Sequence, residues 1–276
     1  MIFERLYKFH SISVNSLSAL ATSTAWFSSQ ASLNDPFEGI STIVAPISND
    51  EKVTKSVRFL ATMFEKERQI SPSDAHQLAL KQYMNDPKFF LEQIEIQAKK
   101  ESNLALNYAR DMGIYSTASD IPGDERTQAA NMLLWSHYSN GLRGFCIQFD
   151  ARKFYESLQE ENQDGKFAWA KVEYVNKPHE IDMFSFVENT DFDYLKQLQK
   201  KHEQWGYECE CRIVSTKVGL QKYCPSAVEK IYIGEKISEA EERLLLTVLE
   251  RHYPQVEIFK VKVDDKSYGI KLGKKI

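Results

Sequence analysis

Trp205-Gly-Tyr-Glu-Cys-Glu-Cys-Arg-Ile-Val214 is the stretch on which the fold and the chemistry turn. Strict alternation assigns Tyr207, Cys209, Cys211 and Ile213 to one face of a strand, and Glu208, Glu210 and Arg212 to the other. The first face suits a core. The second is a ladder of three charges, and strand spacing sets its two carboxylates about 7 Å apart. Like charges at that distance raise one another's pKa unless a cation intervenes, and Arg212 is placed to be that cation. The bland alternative is a solvated strand face with an internal ion pair, and for an arbitrary Glu-x-Glu it is the favoured reading.

The rest of the chain reads as short strands separated by helices. Strands are expected at residues 6–9, 25–29, 113–117, 144–149, 167–175, 208–215, 230–234, 256–263 and 268–272. A short helix is expected at 15–20 and another from Thr127 to Tyr138, stopped by Asn140-Gly141. An amphipathic helix is expected around 191–201. A last helix opens on the capping box Ser238-x-x-Glu241 and ends before Pro254. Residues 50–110 differ: they are rich in Lys, Glu, Gln and Ala, with helix starts at Ser73-Asp74 and Asp86-Pro87. No Gly/Pro/Ser-rich linker isolates them, so they read as a helical insertion beside the sheet. The expectation is one α+β domain over residues 1–276, with a mixed, mainly antiparallel sheet.

Composition limits the function classes. Of 276 residues, 42% are hydrophobic and 27% charged, which is ordinary for a chain with a substantial core. The net charge of -4 provides no global drive towards nucleic acid. No apolar run approaches the roughly 18–20 residues that span a bilayer, and the first eight residues lack the pattern of a secretory leader. The expected location is therefore the cytoplasm. The four cysteines read as reduced thiols, because Cys209 and Cys211 make no metal framework with a nearby His and Cys146 lies in an apolar run.

Two further segments are candidates for chemistry. Asn34-Asp35-Pro36-Phe37-Glu38 is a turn in which Asp35 and Glu38 contribute carboxylates near Ser28-Ser29, or simply a well-formed turn plugged by Phe37. Leu134-Trp135-Ser136-His137-Tyr138 puts Leu134, Trp135 and Tyr138 on a core stripe, with His137 as a donor or a satisfied structural residue. Residues 34–38, 135–138 and 208–212 together are the expected functional surface, with Trp205 beside them. No Walker motif, dinucleotide fingerprint, nucleophile elbow or zincin motif is present.

In order, Leu6-Tyr-Lys-Phe, Trp26-Phe-Ser-Ser, Asn34-Asp-Pro-Phe-Glu, Leu134-Trp-Ser-His-Tyr, Gly144-Phe-Cys-Ile-Gln-Phe-Asp and Trp205-x-x-Glu-x-Glu-x-Arg resemble the bacterial domain-of-unknown-function family 2971 along nearly the whole chain. That family implies no established activity. More loosely, Tyr7-Lys8, then Trp26-Phe27-Ser28-Ser29, then Glu208-x-Glu210 resemble the order of motifs in ADP-ribosyltransferases. This second resemblance implies that NAD is held by Tyr7, Lys8, Phe27, Ser28 and Ser29. It further implies that Glu210 stabilises an oxocarbenium-like transition state, while Glu208 orients or deprotonates the acceptor. The implied function is NAD-dependent ADP-ribosyl transfer or NAD hydrolysis in a bacterial toxin or phage-defence setting. The chain departs from the pattern at Lys8, which stands where Arg or His is expected, and in the Ser-Ser pair, which lacks a flanking Thr. Two rivals stand beside it. One is a non-enzymatic ligand-sensing or partner-binding module. The other is a metal-dependent nuclease built on Asp35, Glu38, Glu208 and Glu210, with Lys201 or Arg212 on a phosphate.

Overall fold

Phe145-Cys-Ile-Gln-Phe-Asp150 presents large apolar side chains on alternating positions and buries five of its six residues. A strand of that kind needs cover on both faces. In the computed structural model, which describes residues 3–46, 48–121, 123, 127–185 and 193–276, it lies inside an eight-stranded sheet. The chain begins with β1 (Arg5–His10), α1 (Val14–Ala21), β2 (Thr24–Phe27) and β3 (Ser41–Val44). Three helices follow, α2 (Asn49–Arg68), α3 (Pro72–Asn85) and α4 (Pro87–Arg110), then β4 (Gly113–Ser119), α5 (Met132–Tyr138), β5 (Phe145–Asp150) and α6 (Ala151–Glu161). The middle region holds β6 (Phe167–Lys171), β7 (Glu173–Val175), β8 (His179–Asp182) and β9 (Lys200–His202). The last part holds β10 (Glu210–Ser215), β11 (Gly219–Lys222), β12 (Val228–Gly234), α7 (Glu239–His252), β13 (Glu257–Val263) and β14 (Ile270–Lys275).

The chain is α+β, and it divides into two compact units. The first comprises Met1–Asn34, Asp111–Tyr174 and Glu203–Ile276. Its sheet has the order β14-β13-β12-β5-β1-β4-β10-β6 and is antiparallel except for the β12/β13 pair. One face carries Leu6, Tyr115, Ile147, Phe149, Cys211 and Ile213 under α1, α6 and α7, through Leu20, Phe154, Leu158, Leu245 and Leu249. The other carries Tyr7, Phe9, Ala118, Cys146 and Tyr232 under Leu134 and Trp135 of α5. The hydroxyl of Ser238 accepts from Glu241 N and the Glu241 carboxylate from Ser238 N, so the expected capping box opens α7. Asn140 and Gly141 have φ of 49° and 63°, the left-handed stop expected after α5. Leu142 continues that run at φ 68°. The loop fits because Gly234 lacks a side chain; a Cβ there would lie 2.2 Å from the Leu142 carbonyl oxygen.

The second unit, Asp35–Arg110 with Val175–His202, contains the expected helical segment. Its core gathers Val57, Phe59, Phe64, Phe90, Ile94, Met183 and Phe184, with Ala75, Ala79 and Ala98 fully buried between helices. Pro72 opens α3 with Ser71 capping it, two residues earlier than expected, and Asp86 Oδ1 accepts from Phe89 N at the start of α4. β3 and β8 pair in parallel.

Several expected elements come out differently. The helix from Thr127 is interrupted: residues 128–130 form a 3-10 turn, and Asn131 Oδ1 caps a new start by accepting from Leu133 N and Leu134 N. Of the helix expected around 191–201, residues 191 and 192 lie outside the described residues, 193–199 are 3-10 and 200–202 are a strand. The strand at 167–175 breaks at Val172. The last strand starts at Ile270, because Asp264 holds the preceding turn by accepting from Lys266 N and Ser267 Oγ.

The most consequential correction concerns the opening stretch. Cys209 has φ 46°, so β10 begins at Glu210, while residues 203–208 are 3-10. Glu208 is therefore off the ladder that carries Glu210 and Arg212. All six β10 residues are buried, which overturns the solvated-face alternative.

Candidate functional site

β1 pairs with β5 along six residues but with β4 along only two, Leu6 beside Ser119 and Tyr7 beside Ala118. Beyond Tyr7 the sheet is split. Ser28 takes over the vacated edge of β4 further along, exchanging two main-chain hydrogen bonds with Ile114 at 2.8 and 2.9 Å. In an antiparallel strand the main-chain N–H and C=O of alternate residues face the same edge. Ser116, between Ala118 and Ile114, therefore turns its polar groups to the split, and so does Phe9 on the β1 side. Lys8 bridges the gap, its Nζ donating to the Ser116 carbonyl at 2.7 Å while lying 4.8 Å from the Tyr115 ring centroid.

A cavity of about 560 Å³ opens at this split. Lys8, Tyr115 and Ile147 reach it from one face of the sheet, and Phe9 and Tyr138 border it as well. Ser11, Ser13, Ser16, Thr22, Thr24 and Ser28 line the remainder with Asn15 and Trp26. Trp26 is 56% exposed, and its strand partner Leu220 is also exposed beside it. Among the described lining residues there is one ammonium and no carboxylate. His10, stacked on Phe145 at 5.2 Å, is pushed down to about 3 by burial and secondarily by Lys8, so it is neutral at pH 7.

The expected cofactor residues separate. Lys8 and Ser28 line the cavity. Phe27 is wholly buried, stacked on Tyr115 at 5.4 Å, and so is a core residue. The Ser29 hydroxyl pairs with that of Ser32. Tyr7 projects to the opposite face, donating to Asp120 Oδ2 at 2.9 Å and accepting from Thr127.

The expected catalytic residue also lies away from Lys8. Glu210 stands in register with Ala118, and Ala118 with Tyr7, so the three share the α5 face of the sheet. Lys8 shares the other face with Leu6 and Ile147. The structure does not bring Glu210 together with Lys8 and Ser28. Arg212 instead grips Glu210 with two bonds, Nε to Oε1 at 2.7 Å and Nη2 to Oε2 at 3.1 Å, both side chains being almost wholly buried. Glu210 N also donates to the Tyr174 hydroxyl at 2.7 Å.

Glu208 does approach the cavity, through a neighbour. Tyr138 Oη donates to Glu208 Oε1 and accepts from Asn34 Nδ2 at 3.2 Å. The residue pair 138 and 208 is thus assembled as expected, with Asn34 as third member. His137 stacks on Tyr207 at 5.8 Å, and Trp205 packs 6.1 Å from the same ring. Trp135 is a core residue, fully buried with Nε1 donating to the Ala129 carbonyl. Asp35 and Glu38 belong to the second unit: Asp35 Oδ1 accepts from Phe37 N at 2.9 Å, and Glu38 lies 3.9 Å from Lys201 Nζ. Among the described residues no group of three or more His, Cys, Asp or Glu is placed to hold a metal ion. Cys146 and Cys211 are buried free thiols, both pushed above the ordinary range by burial.

His10, Tyr115 and the serines of α1 escaped the sequence reading as site residues, since none belongs to a motif. Only the small-polar run Ser11-x-Ser-x-Asn-Ser-x-Ser hinted at them.

Residues 134–213 match the model of a family described as a protein of unknown function, DUF2971. The likeness covers α5 to β10 and therefore Tyr138, Glu208, Glu210 and Arg212, not nearly the full chain as expected. No curated protein and no solved structure matches the chain, and the ADP-ribosyltransferase resemblance has no support from these comparisons. Among the described residues no helix is long and apolar enough to cross a membrane.

Proposed function

We propose that the first unit binds a nucleotide of the NAD class in the cavity at the β1/β4 split. The observation that carries this reading is the lining itself. A cavity of about 560 Å³ with one ammonium, no carboxylate among its described lining residues, a ring of serines and threonines and an exposed indole favours an anionic, hydroxylated, ring-bearing ligand. Lys8 attracts the phosphates, the serines and threonines take up ribose and phosphate oxygens, and Trp26 supplies a face for ring stacking. Phe9 turns a main-chain donor and acceptor to the split, and Ser116 a donor, its carbonyl accepting from Lys8, which suits a planar carboxamide such as that of nicotinamide.

A catalytic reading is favoured by one observation, the Tyr138–Glu208 hydrogen bond at the cavity wall. On that reading Glu208, and not Glu210, stabilises the positive ribosyl group as nicotinamide leaves. Calorimetric titration with NAD and assay of nicotinamide release test both readings. Lys8→Met is expected to weaken NAD at least tenfold. Loss of release in Glu208→Gln with binding retained supports transfer, and binding without any release makes the unit a ligand-sensing module. No NAD binding by the wild type refutes the proposal.

A further inference from the structure

The long helix α4 of the second unit is apolar on two faces. Along one it buries Phe90, Ile94, Ala98, Ala105 and Ala109. Phe89 and Ile96, seven residues apart on the opposite face, are nevertheless 59% and 62% exposed, and Leu104, a further eight residues on, is 53% exposed. A helix with large apolar groups on both faces is normally covered on both. The charges beside this stripe divide into two kinds. Glu95 pairs with Lys52 and Lys99, towards the side of the helix. Glu92 and Lys100, four residues before and four after Ile96, have no hydrogen bond or ion pair among the described residues.

Two opposite charges left unpaired at equal spacing from an exposed apolar residue are complementary to themselves. At 1.5 Å per residue, each lies about 6 Å along the axis from Ile96. A two-fold axis beside Ile96, between two antiparallel copies of α4, sets Glu92 of each copy level with Lys100 of the other. The same operation brings Ile96 against its own copy, and Phe89 to within one residue of the level of Leu104 of the other, on the same side of the seam. A parallel pair would instead oppose Glu92 to Glu92 and Lys100 to Lys100. We infer that the exposed stripe of α4 is a self-association surface, and that its occupant is α4 of a second copy of this chain, packed antiparallel about Ile96. Three apolar side chains from each copy make a small interface of the transient kind, so the dimer forms in the micromolar range.

Sedimentation velocity of the full chain across that concentration range tests this, and a monomer–dimer equilibrium is expected. Ile96→Glu sets two carboxylates against each other at the axis and is expected to abolish the dimer. Melting of the dilute protein should stay unchanged, because Ile96 is exposed in the single chain. Glu92→Lys alone and Lys100→Glu alone are each expected to weaken the dimer about tenfold, since both crossings turn repulsive at once. Mixing these two single variants, or combining both changes in one chain, puts opposite charges back at each crossing and is expected to restore wild-type affinity. Single variants that dimerise like the wild type, or a mixture that fails to regain affinity, overturn the antiparallel pairing. A wild type that stays monomeric at every concentration overturns the inference and leaves the stripe to a different protein.

Discussion

Replacing Arg212 by Met separates a structural role for the β10 charges from a catalytic one. The side chains of Arg212 and Glu210 are 1% and 4% exposed and joined by two hydrogen bonds. Removing the cation takes its two hydrogen bonds and its charge away from a carboxylate in a buried strand, at a cost of about 3–5 kcal/mol. In a chain of this size each kcal/mol moves the midpoint by roughly 2–4 °C, so melting should fall by roughly 6–20 °C. Glu210→Leu alone removes the carboxylate that accepts two guanidinium hydrogen bonds and should cost a similar amount. The double variant Glu210→Leu/Arg212→Met carries neither charge and should recover most of the loss, because apolar replacements of a buried pair are often near neutral. Urea unfolding followed by circular dichroism, on the four proteins, yields the coupling energy directly. NAD titrations on the same samples should show unchanged affinity in the folded double variant, since Glu210 lies on the face opposite Lys8. Single-variant losses below about 1 kcal/mol, the range of an exposed pair, would refute the buried-pair argument. Loss of NAD binding in a Glu210→Leu protein of wild-type stability would refute the separation of faces.

Tyr138→Phe removes the hydroxyl that Glu208 accepts, and a lost hydrogen bond to a buried charge should cost about 1.5–3 kcal/mol by the same unfolding measurement. Ser238→Ala removes the α7 cap and should cost about 0.5–2 kcal/mol without altering ligand affinity. His10 is held in its neutral form, its folded value near 3 lying below the ordinary 6.5. The unfolded chain therefore binds a proton that the folded one refuses. Stability present above pH 6.5 is lost as pH falls towards 3, with a slope of at most about 1.4 kcal/mol per pH unit from this group. A His10→Gln variant should show a shallower acid slope between pH 6 and 4 in pH-dependent urea melts, and an unchanged slope would refute the assignment.

The sequence by itself determined the local grammar of this protein. Phe145-Cys-Ile-Gln-Phe was legible as a strand, because Phe145, Ile147 and Phe149 alternate on one face that must avoid water. Ser238-x-x-Glu241, Asp86-Pro87 and Asn140-Gly141 marked their helix ends, since the donors, acceptors and φ preferences that make caps lie within a few residues of one another. The alternation of Glu210, Cys211, Arg212 and Ile213 was legible for the same reason. Tertiary structure decided the rest. Cys209 turned left-handed and dropped Glu208 off the strand, so the apparent three-charge ladder became a buried Arg–Glu pair and a separate carboxylate held by Tyr138. β1 parted from β4 after two residues, and only that long-range pairing created a cavity and assigned Lys8 and Glu210 to opposite faces. Residues 175–202 joined 35–110 in one core through Met183 and Phe184, contacts between segments distant in the chain that no local periodicity encodes. Alternation fixes which residues share a face of a strand, but the sheet that a strand joins fixes what that face meets.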